Sequence, residues 1–337
     1  MRLTLPLILL LTPACNPCAD APGCLLAEGL SPALLSVRAP AADDVWITGA
    51  SPDDGTGPVA LNYDGDAWTR LDTSAWAGAE LWWSHTTDDA VVLVGNQGLI
   101  LELDRASGAL EAVDGPDAEI DFFGVWGADD TLWAVGQTDG GLGPPALWQR
   151  SGGAWAAFGD PGDDGAVYFK VHGTAADDAW IVGNGGTALH WDGAAFTRVP
   201  TDADVDTTNA PLLTVDAGGE RPIAVGGQGN GLILEYDGSA WRDVSPAFEP
   251  GFNGVCAGAG LAWAVGQHGA RSTREGGAWI SDYTQEVEAL TLEDWHGCAL
   301  DPDGGLWTVG GQLTSRPLTR GVAGYQGPGK VPGVTLE

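Results

Sequence analysis

Residues 177–199, DDAWIVGNGGTALHWDGAAFTRV, set out a pattern that the chain repeats. An acidic pair leads into a short run in which large apolar residues alternate with others up to Val-Gly. A second short run follows, and then Asp-Gly flanked by aromatics. Alternation with a period of two marks a strand whose packed face is apolar. The run before the glycine is the most regular: Trp46-x-Thr48-Gly49, Val92-x-Val94-Gly95, Trp133-x-Val135-Gly136, Trp180-x-Val182-Gly183, Ile223-x-Val225-Gly226, Trp263-x-Val265-Gly266 and Trp307-x-Val309-Gly310. Successive glycines are 46, 41, 47, 43, 40 and 44 residues apart.

Each period holds four strand-like segments. In the third copy they are DFFGVWG (121–127), TLWAVGQ (131–137), PALWQR (145–150) and AWAAF (154–158), with turns at Asp129-Asp130 and Ser151-Gly152-Gly153. The last two segments form a hairpin, best seen as Tyr63-Asp64-Gly65-Asp66-Ala67-Trp68, Trp191-Asp192-Gly193-Ala194-Ala195-Phe196 and Tyr236-Asp237-Gly238-Ser239-Ala240-Trp241. Asp-Gly accommodates the positive φ angles of tight hairpins, and the flanking aromatics meet across the strands. Four strands per repeat of this length define a propeller blade, which cannot bury both faces alone. The pattern therefore predicts an all-β fold: a seven-bladed β-propeller of four-stranded antiparallel blades.

Ring closure has two solutions in the sequence. The seventh copy has strands near 294–299, 305–310 and 320–325 but no closing Gly-Ala-Trp phrase. Its outer strand comes either from CLLAEGL (24–30), just ahead of the first inner strand at 34–38, or from VPGVTLE (331–337). The first is the expectation adopted. The chain then divides into a signal peptide (1–14), a leader (15–30), the propeller (31–326) and a tail (327–337).

Composition adds compartment and partner. The 52 glycines, 16 tryptophans and single methionine suit short strands and tight turns. Forty-six acidic against 14 basic residues give a net charge of −32. Such a surface repels phosphate backbones and anionic headgroups, which excludes nucleic acid and leaves a lipid anchor as the one route to a membrane. The leader MRLTLPLILLLTPAC carries a basic residue, an apolar run too short to span a bilayer, and a small residue before Cys15. Its ending resembles a bacterial lipobox, with Thr12 where leucine is usual, so Cys15 is the expected lipidation site and plain secretion the alternative. Both place the protein outside the cytoplasm, at the cell envelope or beyond. Four further cysteines predict two disulfides, Cys18–Cys24 and Cys256–Cys298.

The repeats between 34 and about 326 resemble bacterial propellers of the BNR-like and YVTN-type repeat families. They are similar to photosystem II assembly-factor propellers and to exported Asp-Asp-x-Trp-x-Val-Gly proteins. The resemblance implies the propeller fold and, through the assembly factors, a binding scaffold. The full Ser-x-Asp-x-Gly-x-x-Trp box of sialidase-type repeats is missing, since SPDDGTGP (51–58) ends in Pro58 where that motif has tryptophan.

Candidate chemistry falls on the inner strands. Aligning them gives equivalent positions at Arg38, His85, Trp126, His172, Asp216, Cys256 and Cys298. His85, His172 and Asp216 carry the donor types of a zinc or iron site, with His296 nearby, but no local ligand spacing supports one. The pairs Asp43-Asp44, Asp88-Asp89, Asp129-Asp130 and Asp177-Asp178 could serve calcium, yet aspartate caps turns unaided. No Gly-x-Ser-x-Gly elbow, Ser-x-x-Lys or Walker motif occurs, and Lys170 and Lys330 are the only lysines. The expectation is a monomeric, non-catalytic scaffold without cofactor. Its loops 52–58, 138–144 and 201–211 would meet an envelope or extracellular protein, or a glycan. The rival readings are a glycan hydrolase or lyase with two carboxylates at the channel mouth, and a purely structural envelope component.

Overall fold

A computed structural model describes residues 23–114, 116–141, 143–159, 167–202, 205, 210–258, 260–283, 285 and 287–336. These residues form seven four-stranded antiparallel sheets, each hydrogen-bonded in one radial order. The inner strands are Leu34–Ala41, Leu81–Thr86, Asp121–Ala128, Tyr168–Ala175, Leu212–Asp216, Phe252–Gly258 and Asp294–Leu300. Each packs against the next, and Leu34–Ala41 packs against Asp294–Leu300, so the strands close into a ring. The protein is a seven-bladed β-propeller.

The seventh blade is assembled from both ends of the chain. Asp294–Leu300, Leu306–Gln312 and Thr319–Gln326 are completed by Cys24–Pro32, which pairs with Thr319–Gln326 from Cys24 opposite Tyr325 to Pro32 opposite Thr319. Residues 331–336 form no strand. They cover that outer strand instead: Val331 and Val334 are buried beside Cys24 and Leu26, and the Val334 N–H donates to the Leu26 carbonyl at 2.9 Å.

The repeated glycine has a steric cause. A Cβ on Gly95, Gly183, Gly226 or Gly310 would lie 1.9 Å from the carbonyl oxygen of Glu80, Val167, Pro211 or Asp294, where the inner strand begins. Gly183 is in ordinary extended backbone (φ −165°). The glycine is therefore selected by close backbone approach and not by conformation.

A second contact couples the two acidic phrases. At Gly65 (φ +92°) and Gly193 (φ +88°), an added Cβ would lie within 3.0 Å of the Cβ of Asp43 and Asp177. The Asp-Gly hairpin thus sits on the Asp-Asp turn of its own blade. Between blades, aromatics fill the gap. Trp133 of the third blade meets Trp191 and Phe196 of the fourth, each with centroids 5.2 Å apart. Trp180 of the fourth meets Trp241 of the fifth at 5.2 Å. Such edge contacts add about 0.5–1.5 kcal/mol each beyond area burial.

Cys256 and Cys298 are bonded, with Cα atoms 5.7 Å apart, and join the sixth blade to the seventh. They are not equivalent positions, which corrects the alignment of the inner strands. Cys256 faces Trp263, whereas Trp307 faces Ala299, and Cys298 stands one residue earlier opposite Thr308. The longer turn around Asp301–Gly305 shifts the seventh strand by one. Cys24 is also disulfide-bonded. Cys15 and Cys18, and with them the lipidation site and the proposed Cys18–Cys24 pair, lie outside the described residues, as does the insert 160–165.

Candidate binding site at the channel mouth

Propeller geometry sends the Asp-Asp turns and Asp-Gly hairpins to one face. The links from second to third strand and from one blade to the next go to the other. The described residues of the three inserts 52–58, 138–144 and 201–211 all belong to the second group. Regular, internally packed turns therefore occupy one end of the ring and irregular loops the other.

On the irregular face the channel opens into a cavity of about 290 Å³. The first channel-facing residue of successive inner strands forms its wall: Trp82, Phe123, Phe169, Leu213, Asn253 and His296. Four of these make an aromatic arc. Trp82 meets His296 at 5.7 Å and Phe123 at 5.8 Å, and Phe123 meets Phe169 at 6.0 Å. The Trp82 indole is fixed by donation to Glu80 Oε2 at 3.1 Å, and Arg316 pairs with the other oxygen of that carboxylate. Amides stand on the opposite side. Asn253 donates to the Trp295 carbonyl at 2.8 Å, and Gln228 and Gln267 lie nearby.

Below the mouth the channel is plugged. Trp83 comes from the second blade, yet its ring lies 4.5 Å from the Arg38 guanidinium of the first blade and 4.1 Å from Lys170 Nζ of the fourth. It also meets His296 of the seventh blade at 6.2 Å. A single side chain reaches all three only across the axis. Lys170 donates to the Phe123 carbonyl at 2.6 Å, and Arg38 Nε donates to the Ser84 carbonyl at 2.9 Å. Burial, with the Arg38 charge second, pushes the Lys170 ammonium down to about 7. Arg38 itself is lowered to about 10 by burial, against which Asp216 acts. A chain carrying a charge of −32 thus keeps two of its few cations at its centre.

The channel histidines singled out from sequence are half-buried, and two of them, His172 and His296, hydrogen-bond to the backbone. His172 Nδ1 accepts the Ala217 N–H at 2.9 Å, so the imidazole is neutral, and the nearby Asp216 oxygen at 3.7 Å makes no charged pair with it. Asp216 accepts from the N–H groups of Gly218 and Ala257. Trp126 stands between His85 and His172, with centroids 6.2 and 5.7 Å away. His85 is driven down to about 3 by burial, then by Arg38 and His172. His296 is driven as low by burial and then Lys170, while its Nδ1 donates to the Leu35 carbonyl. His172 and Asp216 come together, and His85 is held apart. Among the described residues no three His, Cys, Asp or Glu side chains gather as a metal site.

The Asp-Asp turns hold protein donors as well. Asp44 accepts from the Trp46 indole at 2.7 Å and pairs with Arg105 at 2.9 Å. Asp178 binds His190 at 2.7 Å and also Thr174. One carboxylate, Asp294, lines the mouth cavity among the described residues, and its Oδ1 accepts the His268 N–H at 2.9 Å.

Sequence reasoning passed over Trp83 and Lys170. Yet their column on the inner strands otherwise reads Ser36, Gly124, Thr214, Gly254 and Gly297. Two large side chains among small ones are a signal that the aligned strands already contain.

No protein-family model and no curated protein sequence matches the chain. Solved structures do. A structure described as YCF48 bound to D1 peptide is 14% identical, with a TM-score of 0.64 over 92% of this chain and 98% of that one. The structure of U3-55K is 10% identical, with a TM-score of 0.66 over 92% and 99%. The extracellular domain of the putative one component system BT4673 from B. thetaiotaomicron is 12% identical, with a TM-score of 0.60, and this chain spans 40% of it. At these identities the shared property is the architecture, and the chain takes its place among the seven-bladed β-propellers.

Proposed function

We propose that the protein is an exported, non-catalytic binding scaffold whose irregular loop face engages an envelope or extracellular protein. The carrying observation is the division between its two ends. Asp-Asp turns and Asp-Gly hairpins pack on one another at one end, while the described residues of inserts 52–58, 138–144 and 201–211 belong to the other end, where an aromatic-walled mouth opens. Loops held by a rigid ring are where binding residues concentrate. Among its structural neighbours, one is described as bound to a peptide and another as an extracellular domain, which is consistent with this reading. A glycosidase needs two carboxylates about 5–10 Å apart, and the mouth offers Asp294 alone among the described residues.

The test is a crosslinked pull-down from envelope extract with the protein as bait, alongside variants in which each insert is replaced by a short Gly-Ser link. A saturable protein partner that is lost with one or more inserts, at unchanged thermal stability, is the expected result. Retention of the partner by all three variants would remove the loop face from consideration. Enriched polysaccharide that shortens on incubation would establish the hydrolase instead.

A further inference from the structure

We propose that the mouth cavity is a binding site for a small aromatic carboxylate, with its ring against Trp82, Phe123 and Phe169 and its carboxylate at the Lys170 ammonium. The cavity of about 290 Å³ is near the lower limit for small-ligand pockets, and its wall divides into an aromatic arc and an amide arc. Such a division suits a flat apolar body bearing one polar end. Lys170 forms part of its lining, although only 4% of the residue is exposed. Its ammonium has three hydrogens. One goes to the Phe123 carbonyl, the Trp83 ring lies against the group, and no carboxylate among the described residues pairs with it. A desolvated cation without a counter-charge is costly, and a ligand carboxylate would supply that charge.

The other groups facing Lys170 leave this role to it. Arg38 stands across the Trp83 ring and already donates to the Ser84 carbonyl. Burial disfavours protonation of His85, His172 and His296, and His172 Nδ1 is already occupied as an acceptor by the Ala217 N–H. Asp216 is occupied by the Gly218 and Ala257 N–H groups, and Asp294, at the rim, by that of His268. The acidic exterior acts on an entering anion only weakly at physiological salt, where the Debye length is about 8 Å.

The experiment is isothermal titration of the protein with benzoate and with its neutral analogue benzamide, from pH 6.5 to 9. Benzoate should bind at least tenfold more tightly than benzamide at pH 6.5. Because Lys170 loses its proton near pH 7 in the free protein, benzoate affinity should fall about tenfold between pH 7 and 8.5 while benzamide affinity stays level. Arg38 remains charged through this window, and His85 and His296, both lowered to about 3, do not titrate in it. Lys170→Met should abolish the preference for benzoate but retain benzamide, and Phe169→Ala should weaken both. Equal affinity for the two probes, a flat pH profile, or no heat with benzoate at millimolar concentration would each overturn the proposal. If Lys170→Met fails to fold, the pH profile of the unaltered protein decides the matter.

Discussion

Replacing Cys256 and Cys298 together by alanine removes the cross-link between the sixth and seventh blades, which spans 42 residues of sequence. In the chain-entropy picture a loop of that length restricts the unfolded state by about 13 cal/mol/K, or about 4 kcal/mol at 25 °C. Both cysteines are nearly fully buried in one cluster with Val265, Trp295, Leu306 and Val322, so trimming each side chain adds about 1 kcal/mol of lost packing. The expected loss is therefore about 4–6 kcal/mol. Urea unfolding followed by tryptophan fluorescence measures it, and thiol titration of the denatured protein confirms that the bond was present at the outset. The paired substitution should lower the midpoint and, because the unfolded chain is released from the cross-link, make the slope somewhat steeper than that of the parent. A loss below about 1 kcal/mol would refute the reasoning, because the ring would then be held at this seam by packing alone.

Gly183→Ala should cost about 3 kcal/mol or more in urea titrations although the site is extended, because the new methyl must displace the Val167 carbonyl; a neutral result would mean that the two strands part easily. His85 and His296 titrate near 3 when folded and near 6.5 when unfolded, so the unfolded chain binds more protons between those values and stability falls as pH drops from 6.5 towards 3. The slope approaches about 1.4 kcal/mol per pH unit per histidine, and His85→Asn should reduce it in pH-dependent unfolding. Lys170 follows the same sign in a higher window: its contribution improves from pH 7 to 10.5, and Lys170→Met should flatten that limb of the stability profile. Trp83→Leu should empty the centre of the channel and raise the reactivity of Lys170 toward an amine-selective reagent, read by peptide mass spectrometry.

The strands were legible because each blade repeats the same local requirements. Trp180, Val182 and Gly183 announce a packed face and a backbone contact, and Asp192-Gly193 announces a hairpin, without any knowledge of their neighbours. The channel is different in kind. Trp83 meets Arg38, Lys170 and His296, which come from three other blades, and no periodicity within one blade encodes that meeting. Lys170 lies in YFKVHG, where alternation alone cannot tell a solvated lysine from one buried at an axis. The equivalence of Cys256 and Cys298 failed for a local reason, since an extra residue in the Asp301–Gly305 turn moves the strand relative to its glycine. The closing strand was one of two segments with suitable patterning, and the choice between them depends on pairing with a strand nearly the whole chain away.

That pairing gives the chain a direction in time. Pro32 meets Thr319, 287 residues later, and at roughly 5–20 residues per second the Cys24–Pro32 segment waits about 15–60 s during synthesis for the strand it completes. Throughout that interval the backbone groups it will pair have no partner strand, and an unpaired edge is what recruits a neighbouring copy. Six blades can accumulate meanwhile, but none can bring the circle to completion. Intermolecular capture of the waiting ribbon is therefore the natural error of this molecule, and slowing or crowding its synthesis should produce linked rings before it produces unfolded chains.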